Sequence, residues 1–216
     1  MTLLFAGTDT TSTTLAACLW EIANDSQLQE ELYQEVAESA LDLNNLSLKD
    51  VMNGFPRLYS LLFEVLRCKG PAPFLFLEPT EPVTIKGKAL KPGTVLCVLT
   101  RSLGEKAATE TPLGPNSEPP ELFCPRRWLV SGQSNSLSVI QPTNKYGGFT
   151  PFGAGVRVCP GASMAKVESI VVLLNILQRF ELAPIANHPP IRRVARFTDT
   201  FDNEIQLTLK PRPYLE

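Results

Sequence analysis

Apolar residues recur along this chain in two rhythms, one helical and one alternating, and the change between them sets out the elements. Met1 to about Asn24 carries a helical pattern, although Gly7 and the hydroxyl run from Thr8 to Thr14 are poor helix formers. Gln27 to Ser39 reads as a second helix. Leu28, Leu32, Val36 and Leu41 form its narrow apolar stripe, and its alternating acids read as a solvated face. Ser26 stands where its hydroxyl can cap that helix. Leu46 to Met52 reads as a short helical turn and Arg57 to Arg67 as a third helix. Gly70-Pro71-Ala72-Pro73 then breaks the helical pattern. Phe74 to Leu77, Val83 to Lys86 and Thr94 to Leu99 read as short strands, with Lys91-Pro92-Gly93-Thr94 as a turn.

Farther on, Ala107 to Pro120 reads as a surface loop, rich in Thr, Pro, Glu and Gly. Gly132 to Tyr146 is a second polar meander, longer than a compact domain needs without a job for it. Ala162 to Phe180 is a helix, apolar on nearly every side from Ile170 to Leu177 and therefore buried. In the tail, Arg196 to Asp199 and Glu204 to Leu209 alternate enough for a terminal hairpin. His188 is the only histidine; followed by two prolines, it reads as a surface-loop residue.

Composition narrows the functional classes. With 216 residues, 44% of them hydrophobic, the chain can bury a sizeable core. A formal net charge of −2 and the absence of basic runs argue against nucleic acid as a partner. Five cysteines without paired spacing fit a reducing compartment better than a disulfide framework. The longest apolar run, Ile170 to Leu177, is too short for a membrane span. Met1 leads straight into a helical pattern, so no signal peptide is read.

The stretch from Phe152 to Gly161 crowds three glycines and one arginine around Cys159, just ahead of the last helix. Pro160 suits a first helical position. Cys159 then stands at the helix start, where unpaired N–H groups and the dipole favour negative charge. That makes it a better thiolate ligand or nucleophile than an ordinary buried cysteine. Gly153 and Gly155 can take positive φ and turn backbone N–H groups inward, as a closely wrapped loop requires. Dinucleotide and phosphate loops need glycine spacings that do not occur here. A redox dithiol or zinc site needs a second cysteine, and the nearest in sequence is Cys124. An inert cysteine in a glycine-rich turn is the plain structural reading. The remaining chemistry is a lone thiolate on one axial position of a cofactor-held metal, as in a haem thiolate.

Two other stretches carry candidate chemistry. In Ala6-Gly7-Thr8-Asp9-Thr10-Thr11, Thr10 can divert its hydroxyl to the carbonyl of Ala6 four residues back. That opens the helix locally and leaves room beside Gly7 for a small ligand; a threonine-rich solvent face is the alternative. Glu64 and Arg67 share one helix face and can pair, most simply as an exposed ion pair.

Together these stretches resemble the cytochrome P450 family. Phe152, Gly155, Arg157, Cys159 and Gly161 match its haem-binding signature, F-x-x-G-x-R-x-C-x-G. The resemblance implies that Cys159 is the fifth ligand of a haem b iron, that Arg157 points at a propionate, and that Phe152 packs beside the sulfur. The threonine stretch is similar to the family's oxygen-activation motif, which implies that Gly7 leaves room for dioxygen while Asp9 and Thr10 manage protons. Pro125-Arg126-Arg127-Trp128 is similar to the P-E-R-F element, with Arg126 in place of glutamate. By that similarity Arg127 completes a buried network with Glu64 and Arg67, structural rather than catalytic, which holds the loop carrying Cys159.

The chain also departs from the family pattern. The position near Leu77 is apolar where members often place a propionate-binding arginine. The family's short helix and its H-R-D-P-like segment are not recognisable around Arg101 to Thr109, and Ser26 replaces a proline. Phe74, Leu75 and Phe76 would lie above the haem by analogy or else pack in the core, and Thr198 to Phe201 would reach the pocket. The implied fold is mainly α with small β elements, a partial cytochrome P450 fold. Residues 1–216 would be an incomplete catalytic domain, running from the oxygen-activating helix to the carboxyl terminus.

The implied activity is monooxygenation of an apolar small molecule. One atom of dioxygen enters the substrate, and electrons come from a separate reductase or ferredoxin, since no flavin or nicotinamide motif is present. A peroxide lyase or isomerase of the same family, or a catalytically silent fragment acting as an interaction module, are the other readings. Any anchor to the endoplasmic reticulum membrane would lie upstream of this stretch.

Overall fold

The computed structural model describes residues 2–110, 118–131, 136–142, 148–196 and 198–213. Among them are six α-helices: α1 (Thr2–Asn24), α2 (Ser26–Ala37), α3 (Leu48–Asn53), α4 (Pro56–Lys69), α5 (Thr100–Glu110) and α6 (Ala162–Arg179). Five two-stranded antiparallel ribbons accompany the helices. They pair β1 (Phe74–Leu77) with β4 (Leu96–Leu99) and β2 (Val83–Ile85) with β3 (Lys88–Leu90). They also pair β5 (Leu129–Ser131) with β6 (Leu137–Val139), β7 (Phe180–Pro184) with β10 (Leu207–Pro211), and β8 (Arg193–Val194) with β9 (Thr200–Phe201). The expectation of a mainly helical chain with small β elements holds.

Helix α4 is the axis of the core. Every residue from Leu58 to Arg67 is buried, because α1, α2, α5, α6 and the turn at Pro125–Trp128 all pack on it. Pro56 opens it at a position where a missing N–H costs nothing. The second half of α1 buries Ala17, Cys18, Ile22 and Ala23, while α6 contributes Ile170, Leu173, Leu174 and Leu177. The first half of α1 stays outside this core, with Leu4 and Phe5 largely exposed.

Several expectations need correction. Helix α2 is capped by Asp25, whose carboxylate accepts from Leu28 N at 2.9 Å, and Ser26 is already helical. The acids of α2 are not simply solvated. Glu31 pairs with Arg126, and Glu35 accepts the N–H groups of Arg57 (2.7 Å) and Leu58 (3.0 Å) at the start of α4. Gln29 is buried and exchanges two hydrogen bonds with the backbone of Leu182, pinning α2 to β7. Residues 100–110 are helical where a loop was expected from Ala107 onward, because Ala107 and Ala108 bury against the core. Residues 111–117 of that expected loop lie outside the described ones. The second meander contains the β5–β6 ribbon; its residues 132–135 and 143–147 are not among those described. The tail does not fold as one local hairpin: β10 returns to β7, and β9 pairs with β8. His188 lies in a surface turn as expected, its ring 4.9 Å from that of Trp20 on α1.

Glu35 gives a pH-dependent test of how α2 docks on α4. Burial pushes its carboxyl up from the usual 4.5 to about 7, against the opposing pull of the two N–H groups and the nearby Arg57 guanidinium. A folded-state value above the unfolded one means this contribution to stability is complete below about pH 4.5 and lost as pH rises through 7. The stability of the chain is therefore expected to fall by about 2 kcal/mol across that window through Glu35, the full shift being discounted for a partly exposed site. Urea midpoints at pH 5 and pH 7.5 for the wild type and Glu35→Gln check this. Glu35→Gln should lack that component, and equal pH dependence in both chains would show that Glu35 does not carry it.

Candidate functional site

Three groups of residues expected to matter fall on elements that the fold brings close. The first is the loop before α6. Gly153 and Gly155 both have positive φ, +76° and +65°, and the turn is closed by Cys159 N donating to the carbonyl of Phe152 at 2.8 Å. Phe152 packs against the buried core and Arg157 closes a short 3₁₀ turn on the surface. Helix α6 begins at Ala162 with Gly161 as its N-cap residue, so Pro160 precedes the helix rather than opening it. The glycine at 161 leaves the backbone in a conformation just outside the helix, so the helix starts at Ala162, where the apolar pattern begins it.

Cys159 is exposed on this loop, as are Val156, Arg157 and Val158. A Cβ added at Gly161 would lie 3.8 Å from the Cys159 sulfur, so residue 161 borders the thiol directly. Among the described residues no cluster of His, Cys, Asp and Glu could enclose a metal ion with protein ligands alone. The donor set offers one sulfur, beside apolar side chains and an arginine without an ion-pair partner among the described residues. That set fits a flat, anionic macrocycle whose iron takes a single protein ligand.

The second group is the first half of α1. Thr10 Oγ1 donates to the Ala6 carbonyl at 2.8 Å, and Thr8 and Thr14 make the same four-back bond to Leu4 and Thr10. These hydroxyls satisfy helix carbonyls from the side and loosen the local geometry. Gly7 is exposed, and a Cβ there would meet nothing within 4 Å. Asp9 and Thr10 are partly buried. Asp9 accepts a hydrogen bond from Thr198, on the segment between β8 and β9. Helix α1, whose first half carries the threonine stretch, packs against α6, the helix that follows the cysteine loop.

Third comes a fully buried ionic network. Arg67 donates through Nε and NH2 to both oxygens of Glu64, at 2.9 and 2.7 Å. Arg127 Nε reaches Glu64 at 3.0 Å, and the Trp128 indole and the Cys124 N–H complete the carboxylate's partners at 2.9 and 2.8 Å. The remaining guanidinium N–H groups donate to the carbonyls of Glu118, Pro119, Pro120 and Leu122. Burial pulls Arg67 down while the Glu64 carboxylate more than offsets it, so the guanidinium is held above its usual value. The resemblance placed Glu64, Arg67 and Arg127 in the network but gave no part in it to Trp128, whose indole the folded turn aims at Glu64.

The Phe74 and Phe76 rings on β1 meet at a tilt of 54° with centroids 5.2 Å apart, and Phe76 is mostly exposed rather than packed in the core. Among the described residues no helix is long and apolar enough to cross a membrane.

A cytochrome P450 family model matches residues 1–195. Among curated relatives, Cytochrome P450 93B2 of Gerbera hybrida is 34% identical over 82% of this chain and 33% of its own length. The human mitochondrial sterol 26-hydroxylase is 30% identical over 90% of this chain and 34% of its own. Cytochrome P450 monooxygenase astA of Talaromyces wortmannii is 30% identical over the whole chain and 41% of its own length. A solved cytochrome P450 crystal structure superposes with a TM-score of 0.76 at 24% identity, over 98% of this chain and 44% of that one, which establishes the fold. This chain thus spans between a third and two fifths of those three curated relatives. With a matching family model, relatives at this level of identity and the shared partial fold, the chain belongs to the cytochrome P450 family.

Proposed function

We propose that residues 1–216 are the part of a haem-thiolate monooxygenase domain that runs from the oxygen-activating helix to the carboxyl terminus. When bound, haem b supplies the oxygen chemistry, by which one atom of dioxygen enters an apolar organic substrate and the other leaves as water. Cys159 holds the iron through its thiolate. Gly155 and Gly161 keep the loop around that sulfur free of side chains, Phe152 ties the loop to the core, and Arg157 pairs with a propionate. Gly7 leaves open space on α1, and Asp9 and Thr10 hold and pass protons there. Glu64, Arg67 and Arg127 brace the segment leading to the loop. Electrons come from a separate reductase or ferredoxin.

The observation that carries this reading is the exposed Cys159 on a loop closed by its own backbone and by two glycines of positive φ. The relatives' names support it: one is called a monooxygenase and another a sterol hydroxylase, which makes an apolar molecule the expected substrate class. Loading the purified chain with haem, reducing it and adding carbon monoxide tests the reading. A Soret band at the thiolate-characteristic position is expected; a band typical of a nitrogen ligand, or no uptake of haem, would overturn it.

A second reading has its own support. Leu4, Phe5, Val156 and Met164 are each 73% exposed or more, apolar side chains that another protein segment could cover. On that reading this stretch by itself is catalytically silent. Haem uptake without substrate turnover in the presence of a reductase would favour it. Turnover without any reductase would instead favour the peroxide lyase or isomerase.

A further inference from the structure

We propose that Thr198 is a positioning residue for Asp9, fixing one carboxylate oxygen so that the other is left for proton transfer. This rests on the reading of Asp9 as a proton-handling group. Thr198 Oγ1 donates to Asp9 Oδ2 across 189 residues of chain, and both side chains are partly buried. Among the described residues nothing is bonded to Asp9 Oδ1.

What makes Thr198 suited to the task is its neighbour. Asp199 is 4% exposed, and its N–H donates to the Pro71 carbonyl at 2.8 Å. Its Oδ2 accepts from Arg101 at the start of α5 (2.8 Å) and pairs with Arg193 on β8 (3.2 Å). Arg193 also donates to the carbonyls of Cys68 and Gly70 at the end of α4, at 2.8 and 2.6 Å. Residue 198 therefore stands beside a point tied to three elements, and little conformational entropy remains to be lost in holding its hydroxyl against Asp9.

The residue type fits the role. A hydroxyl donates to an ionised carboxylate and accepts from a protonated one, so the contact survives both states of a group that passes protons. A lysine or arginine there would only donate and would favour the ionised form through its charge. With Oδ2 engaged, rotation of the carboxylate is restrained and Oδ1 keeps one direction.

Two measurements test the proposal. In the haem-free chain, the isotope-edited infrared carboxylate band of Asp9 is assigned by its loss in Asp9→Asn. That band should move in Thr198→Val and return in Thr198→Ser. In the haem-loaded protein with an electron donor, Thr198→Val should lower kcat about tenfold with KM unchanged. Thr198→Ser should recover most of that loss, and Thr198→Val should add nothing in the Asp9→Asn background. An unmoved infrared band overturns the proposal whatever the turnover. So does a loss confined to KM, or effects of the two substitutions that multiply. Absence of turnover in the wild type would count against the monooxygenase reading instead, with the infrared band still deciding the contact.

Discussion

Replacing Glu64 with alanine is expected to cost about 3–5 kcal/mol of folding free energy, as much as truncating a large buried apolar side chain. The carboxylate accepts four side-chain hydrogen bonds and one from the backbone, and it is the ion-pair partner shared by two guanidinium groups buried beside it. Removing it leaves Arg67 and Arg127 charged and out of water, with carbonyl groups as their remaining hydrogen-bond partners. Against a total stability of roughly 5–15 kcal/mol for an ordinary domain, that is at least about a fifth of the whole. The effect should also be directional. Trp128 donates to Glu64 and lies 6.0 Å from the ring of Phe149, which is buried three residues before Phe152. Loss of the carboxylate therefore frees the stretch that leads into the cysteine loop. Urea unfolding followed by tryptophan fluorescence measures the cost; a loss below 1 kcal/mol would show that the network does not brace the core. Glu64→Gln keeps the shape and some hydrogen bonds but not the charge, and should fall between the two.

The cysteine loop, the threonine helix and the pair Glu64–Arg67 were legible in the sequence because each depends on residue type at short spacing. What the sequence concealed depends on contacts between distant segments. Helix α5 contains Ser102, Gly104 and Thr109, all poor helix formers. It forms because Ala107 and Ala108 bury, and because Gly104 permits close approach: a Cβ there would lie 2.8 Å from Arg67 Cγ. The acids of α2 looked solvated, since nothing in their spacing reveals that Glu35 meets the start of α4 twenty-two residues later. The pairing of β7 with β10 joins residues more than twenty positions apart, beyond any local turn signal. By contrast, the two-residue turn between β2 and β3, with Lys86 and Gly87 at positive φ, is a local feature that the single glycine only faintly marks. From the sequence, Thr198 to Phe201 could reach the pocket; the contact of Thr198 with Asp9 comes from the way Asp199 anchors the tail.

Cys159→His should abolish the thiolate-type carbon monoxide spectrum completely while leaving the fold almost untouched. The side chain is exposed, and the loop is closed by the backbone bond from Cys159 N to Phe152 O, which the substitution keeps. A stability change within about 0.5 kcal/mol is therefore expected. Imidazole can still ligate haem iron, but it lacks the electron push of a thiolate that favours O–O cleavage. Turnover should fall at least about 100-fold, a loss no smaller than those seen when a group merely supporting a metal ligand is removed. The other cysteines supply the controls. Burial pushes the Cys68 thiol up to about 12 and the Cys18 thiol higher still, which disfavours a thiolate at either position. Cys97 is exposed on β4, and Cys97→Ser should leave the band unchanged. If the thiolate band survived in Cys159→His and vanished in Cys97→Ser, the ligand would lie on the β1–β4 ribbon and the assignment of the loop before α6 would fail.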